Sequence, residues 1–245
     1  MLTLSGVWAG YGAADILRGV DLALEPEMIT CVVGPNGAGK STVLRTVSGL
    51  LRPRAGSITL DGVEIGGSSP SAILRQGVVH VPQERSLFPS MTVWENVLMG
   101  AYIIRDRSEV RRRADAVSEQ FPSVRERADE RAGSLSGGQQ KIVELARTLM
   151  LDPRLILLDE PSTGLDPKAR AAVFETIIQL NRERSYTILL VEQNARAGLG
   201  ISHTGAVMDS GTVVLEAPGA ELLADPKMAE LYLGGRVAPR SAAAG

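Results

Sequence analysis

The stretch Gly34-Pro35-Asn36-Gly37-Ala38-Gly39-Lys40-Ser41-Thr42 organises the rest of this chain. Its pattern is glycine, four free positions, then Gly-Lys-Ser. Glycines let the backbone turn tightly and aim successive N–H groups inward at a phosphate. Lys40 supplies a mobile positive charge for β- and γ-phosphates, and the Ser41 hydroxyl is a candidate Mg²⁺ ligand. Before the loop, Met28-Ile29-Thr30-Cys31-Val32-Val33 is an apolar, β-branched run suited to a buried strand. After it, Val43, Leu44, Val47 and Leu51 mark one helical face, with Gly49 near the expected helix end. Strand, loop and helix N-terminus make an anion site, because the free N–H groups and the helix dipole converge there. The bland alternative is a glycine-rich turn with a chance lysine. The flanks favour a nucleoside-triphosphate site.

A chain of 245 residues buries roughly 70–75% of its unfolded surface, so neither disulfide nor structural metal is needed. The net charge of −2 argues against a surface that coats nucleic acid. Cys31 is the only cysteine, which excludes an internal disulfide and suits a reducing compartment. Its place in a strand reads as a small core hydrophobe rather than a nucleophile. Met1 to Gly6 shows neither a basic n-region nor an apolar h-region. No apolar run approaches the roughly 18–20 residues that span a bilayer. If this protein serves a membrane, a partner crosses it.

Residues 2–8 alternate as a strand, and Tyr11-Gly12 precedes a second run from Ile16 to Leu24. Ser57 to Leu60, Asp61-Gly62 and Val63 to Ile65 read as a hairpin, since Asp-Gly suits a type I′ turn. A short helix over Ser71 to Arg75 and a buried strand over Val78 to Val81 follow. From about Leu87 to Leu149 the chain is helix-rich and charged. There Val110, Ala114, Val117 and Phe121 form a stripe with Ser108 as the expected N-cap, and Ser123 and Glu126 have capping-box spacing. Arg111-Arg112-Arg113 reads first as a solvated face and second as a partner contact. Leu155 to Leu158 is a fully apolar strand, and Asp166-Pro167 starts a helix carrying Val173, Phe174, Ile177, Ile178 and Leu180. Tyr186 to Val191 is another strand; the helix expected after it is weakened by Gly198 and Gly200. Ala206 to Glu216 reads as a second hairpin, and the small, polar residues after Gly235 as a disordered tail.

A phosphate loop needs a carboxylate to orient the metal. Asp159 supplies it, at the C-terminal end of a buried strand where parallel sheets bind ligands. The adjacent Glu160 can take a proton from an attacking water. Gln83 follows a strand and Pro82, so its amide can reach Mg²⁺ or that water, although a glutamine there is by itself unspecific. Leu135-Ser136-Gly137-Gly138-Gln139-Gln140 opens a helix with the stripe Ile142, Leu145, Ala146 and Leu149, a second anion site in the helical region. Two such sites in different lobes suggest one shared between subunits.

The phosphate loop, Gln83, Leu135 to Gln140, Leu155 to Pro161 and Ser162-Thr163-Gly164-Leu165-Asp166 resemble, in order and spacing, the ATP-binding cassette (ABC) ATPases. The likeness covers roughly residues 2–235. It implies an α/β P-loop NTPase core with an antiparallel β subdomain and an inserted helical subdomain. Residues 1–235 would be one cassette: about 1–86 and 150–225 the nucleotide-binding core with its β subdomain, about 87–149 the helical part. Residues 236–245 would be tail. In that family two cassettes pair head to tail around two ATP molecules. By resemblance Tyr11 stacks on adenine, Gln83 senses Mg²⁺ and the membrane partner, and Asp166 lies at the dimer seam. Ser136 and Gly138 then contact the γ-phosphate of the opposite site, flanked by Gly137 and Gln139.

One position departs from the wider family. A histidine usually follows the strand ending at Val191, and here Glu192-Gln193-Asn194 stands there, so Gln193 takes the histidine's place. That triplet, with Leu87 to Val93 and Tyr232-Leu233-Gly234-Gly235, resembles the second ATPase subunit of bacterial branched-chain amino-acid importers. Urea and amide importers look similar, and Asp166 is less typical of the branch. The resemblance implies ATP and Mg²⁺ as cofactors and a place on the inner face of the cell membrane. It implies integral-membrane permease subunits and a second ATPase subunit as partners, a substrate-binding protein acting indirectly, and no nucleic acid. An exporter ATPase and a cassette protein of DNA repair or translation are the competing readings. Neither long coiled-coil insertions nor a second cassette is present for the latter.

Overall fold

The computed structural model describes residues 1–225 and Met228. The closing Tyr232-Leu233-Gly234-Gly235 and the expected tail lie outside the described residues. The chain begins with strands β1 (Leu2–Tyr11), β2 (Ala14–Leu24) and β3 (Ile29–Val33), then helix α1 (Lys40–Val47). Strands β4 (Ala55–Leu60) and β5 (Val63–Glu64), helix α2 (Pro70–Arg75) and strand β6 (Val78–Val81) follow. Four helices come next: α3 (Val93–Met99), α4 (Arg107–Gln120), α5 (Pro122–Glu126) and α6 (Gly137–Leu149). The last part holds β7 (Leu155–Asp159), α7 (Pro167–Arg184), β8 (Thr187–Val191), α8 (Ala195–Ile201), β9 (Thr204–Asp209), β10 (Thr212–Pro218) and α9 (Gly219–Ala224).

Two sheets share the work. One is antiparallel, in the order β2-β1-β4-β5; the other has the order β10-β9-β3-β8-β7-β6. In the second, β9, β3, β8, β7 and β6 run parallel, and β10 closes the edge antiparallel to β9. A parallel sheet covered on both faces needs strands apolar on both sides, and β3, β7 and β8 are buried at every residue. Alternation then sorts them. Leu155, Leu157, Leu189 and Val191 face α1 and the antiparallel sheet, while Ile156, Leu158, Ile188 and Leu190 face α6 and α7. Full burial of each such side chain contributes roughly 1.5–3 kcal/mol. That burial brings the carboxyl ends of β3 and β7 together on one rim.

The hairpin expected at Asp61-Gly62 forms, with φ of 49° and 77° at the two residues. Three local expectations are corrected, and a fourth, the helix after β8, holds. Helix α1 stops at Val47 with Ser48 as its C-cap, so Leu51 lies beyond it and packs from the following turn. Asp106, not Ser108, caps α4: its Oδ1 accepts the Ser108 N–H at 2.8 Å, and a carboxylate two residues earlier outcompetes the hydroxyl. Ser123 and Glu126 make no capping box, because α5 starts at Pro122, which puts Ser123 inside it and Glu126 at its end. Helix α8 forms despite Gly198 and Gly200. At Gly198 the reason is packing: a Cβ there would lie 2.7 Å from the Cys31 Sγ and 3.0 Å from the Glu192 Cβ.

Candidate active site

The loop between β3 and α1 takes a shape that only glycine allows at its ends. Gly34 has φ 154°, and a Cβ there would lie 2.1 Å from the Met208 carbonyl oxygen. Gly39 is left-handed, at φ 104°, and gives α1 no side-chain cap. The first amides of α1 therefore remain for an anion. Lys40 is buried and folds back across the loop, its Nζ donating to Gly34 O at 2.9 Å and Pro35 O at 3.1 Å. Burial pulls the ammonium below the ordinary lysine value, while Glu160, Asp159 and Glu192 favour its charged form. A phosphate would compete with the two carbonyls for this ammonium and favour its charged form.

From β7, which β8 separates from β3, Asp159 accepts the Ser41 hydroxyl at 2.8 Å. Burial raises the Asp159 carboxyl above its ordinary value, and the Ser41 bond acts the other way. Glu160 follows in a left-handed conformation, at φ 45°. Its Oε2 accepts Gln83 Nε2 at 2.9 Å and the Thr163 hydroxyl at 3.0 Å. Tyr11 stands 47% exposed at the rim, its hydroxyl accepting Arg45 at 3.2 Å. Tyr11, Ile16, Asn36, Gly37, Gly39, Lys40, Ser41, Thr42 and Glu160 line an open cleft of about 270 Å³. Pro35 is exposed beside it, and Ala38 is buried beneath.

The other expected residues lie apart from this cleft. Ser136 is exposed and caps α6: its Oγ accepts the Gln139 N–H at 3.4 Å and Gln139 Oε1 accepts the Ser136 N–H at 2.9 Å. Gly138 seats α6 on α7, since a Cβ there would come within 2.8 Å of Ala169 Cβ; Gly137 packs near Leu165. Asp166 caps α7 through Lys168 and Ala169 N–H. Gln193 is exposed two residues after β8, and it does not line the cleft. A bridge nonetheless connects the regions. Buried Glu144 of α6 accepts the Ser86 N–H at 2.7 Å and pairs with Lys141 at 2.6 Å, and Arg147 donates to Ser86 O at 2.8 Å. The segment after Gln83 is thereby held on the same helix that Ser136 caps.

The contacts of three residues in this neighbourhood were not foreseen from the sequence. Thr163 had a signal, standing three residues after Glu160 in a turn, where a hydroxyl can reach back. Arg45 and Glu192 had none, because only the tertiary fold brings them to Tyr11 and Ser162.

A family model described as ABC transporter matches residues 17–163. The chain is 40% identical over 235 residues to the high-affinity branched-chain amino acid transport ATP-binding protein BraG of Pseudomonas aeruginosa, covering 96% of this chain and 100% of that one. It is 38% identical to the probable branched-chain amino acid transport ATP-binding protein LivF of Archaeoglobus fulgidus, covering 92% and 95%. The ADP conformation of an ATP-binding cassette of an ABC transporter superposes with a TM-score of 0.86 at 28% identity, covering 96% of this chain and 99% of that one. The matched span holds the phosphate loop, Gln83, the α6 N-terminus and Asp159–Glu160 together, and the chain belongs to the ABC transporter family as one of its ATPase cassettes.

Proposed function

We propose that this chain hydrolyses Mg²⁺-ATP as the cytoplasmic ATPase subunit of a branched-chain amino-acid importer. The observation that carries the ATPase reading is the meeting of Lys40, Ser41, Asp159 and Glu160 at one cleft. The substrate rests on the full-length likeness to BraG. Among the described residues no group of three or more His, Cys, Asp or Glu side chains could hold a metal. That suits Mg²⁺, which binds through one or two carboxylates plus nucleotide phosphates. Ser41 and Asp159 offer oxygen donors already 2.8 Å apart, and Gln83 stands beside them through Glu160. The ion arriving with ATP would neutralise charge on the β- and γ-phosphates.

Lys40 would leave its two carbonyls for the phosphates, and Glu160 would accept the proton of the water attacking the γ-phosphorus as ADP departs. Tyr11 offers its ring face to adenine, and Gln193 a neutral donor toward the γ-phosphate. Ser136, Gly137, Gly138 and Gln139 would serve the site of a second ATPase subunit, identical or related. Among the described residues no helix is long and apolar enough to cross a membrane. Integral-membrane permease subunits would supply the path, with this chain on the inner face and a substrate-binding protein delivering from the far side.

Glu160→Gln tests the chemistry. It keeps shape and hydrogen bonding but removes the base, so it should bind ATP, turn over at least about 10²-fold more slowly, and accumulate as a dimer in size-exclusion chromatography. Normal turnover would remove Glu160 from the base role. Uptake tests the substrate: cells lacking the gene should lose import of labelled leucine, isoleucine and valine and keep that of urea. The opposite pattern would assign the chain to urea import.

A further inference from the structure

Glu192 is a carboxylate that the reaction described above leaves without a task. It follows β8 directly and is 1% exposed. Its Oε1 accepts the Ser162 N–H at 3.1 Å. Gly198 of α8 makes the room, since any side chain there would strike Cys31 and Glu192. A buried carboxylate is no aid to stability over an apolar side chain of similar volume. Stability alone therefore does not account for it.

It sits where three segments meet: the end of β8, the turn after β7 and α8. Glu160 holds a left-handed φ of 45°, which non-glycine residues adopt only when their surroundings impose it. The Glu160 N–H is held by Val191 O at 2.9 Å. Pro161 has no N–H to offer. The next amide, that of Ser162, is held by Glu192. The turn that aims Glu160 is thus pinned at both ends to the last two residues of the β8 side. On its other flank Glu192 leads through Gln193 to Asn194, which caps α8 through Ala197 N–H at 3.1 Å. Gln193 lies between these anchors.

We propose that Glu192 is a positioning residue: it fixes the turn that presents Glu160 to the attacking water and ties that turn to the segment bearing Gln193. The inference rests on the reading of Glu160 as the hydrolytic base. Glu192 acts through its acceptor oxygens, so removing acceptors without changing volume isolates the role. Glu192→Met keeps the bulk beneath Gly198 and removes every acceptor. Glu192→Gln keeps one amide oxygen for the Ser162 N–H and exchanges the second carboxylate oxygen for an NH₂ group.

Steady-state ATPase kinetics and ATP affinity on the full chain with Mg²⁺ read the outcome. Glu192→Met should lower kcat at least about tenfold and Glu192→Gln about two- to fivefold, as expected for losing all or part of a buried acceptor set. ATP affinity should stay within about twofold of wild type, because uniform binding is untouched. Placed in a Glu160→Gln background, Glu192→Met should change the residual rate by less than about twofold, since nothing remains to be aimed. A wild-type kcat in Glu192→Met, a parallel loss of ATP affinity, or a full further decrease in the double variant would each overturn the proposal. If Glu192→Met does not fold, Glu192→Gln decides alone: lower kcat at unchanged affinity supports it, and unchanged kcat overturns it. Normal turnover by Glu160→Gln alone would overturn the base assignment itself, a result separable from one confined to Glu192.

Discussion

The N-termini of α1 and α6 are both built from serine and glycine, yet they are finished in different ways. Gly39 leaves α1 without a side-chain cap, and Lys40, Asp159 and Glu160 surround its open amides with charge. The N-terminus of α6 caps itself through Ser136 and Gln139, with Ser136 exposed and no acidic residue in the first turn. The first terminus gathers its charged groups within one chain. At the second, the Ser136 oxygen is used as an acceptor while its O–H hydrogen stays free to donate. A serine so held suits the contact proposed for it with a partner's nucleotide. The difference separates a terminus that binds in cis from one suited to a ligand brought by another chain.

The sharpest way to break this comparison is Ser136→Arg. It should lower ATPase activity at least about 10²-fold, the scale of losing a donor to transition-state charge, while ATP binding to the monomer stays intact. Loss of binding by the isolated monomer would place Ser136 in its own chain's site and erase the distinction. Lys40→Ala is the mirror experiment. Removing a charge-assisted contact should weaken ATP binding about 10- to 100-fold; unchanged affinity in the presence of Mg²⁺ would count against the α1 site.

Gln193 tests a third approach to the same phosphate. Its amide donates without titrating, so Gln193→Ala should reduce kcat about three- to tenfold. Gln193→His should keep activity and add a pH dependence between about pH 6 and 7. Two silent substitutions would make Gln193 a bystander on an exposed segment. The smallest effect belongs to His80, on the strand leading to Gln83. Burial, with Arg45 adding to it, pulls its imidazole from 6.5 to about 4. Between those values the unfolded chain binds more protons than the fold, so His80's contribution to stability is full above about pH 6.5 and is lost as pH falls toward 4. Urea unfolding of His80→Gln should show a flatter decline over that window than wild type. Equal slopes would mean that His80 is protonated in the fold.

Much of this was legible in the order of residues because the signals are local. The Asp61-Gly62 turn formed with both φ values positive, as the dipeptide demands. Ser136 followed by two glycines marked a helix start, although the Gln139 half of the capping box went unread. Local rules failed where two neighbours competed for one role. Asp106 took the cap expected of Ser108, and Pro122 shifted α5 so that Ser123 and Glu126 lost theirs. Gly198 read as a weakness, because its reason lies across the fold in Cys31 and Glu192.

By itself the sequence determined that a strand, a glycine loop and a helix would meet at Gly34–Thr42, and that β7 would end in two carboxylates. Backbone freedom at glycine and period-two burial act over a few residues, so neighbours suffice to read them. Only the tertiary structure decided which groups touch. Parallel pairing of β7 with β8, with Asp159 opposite Val191, sets the rim on which Asp159 reaches Ser41 and Glu160 reaches Gln83 and Thr163. It also put Glu192 under Ser162, a contact between residues 30 apart in the chain. Hydrogen bonds act over about 3 Å, and which distant atoms come that close is set by how the sheet packs, not by any residue's neighbours in sequence.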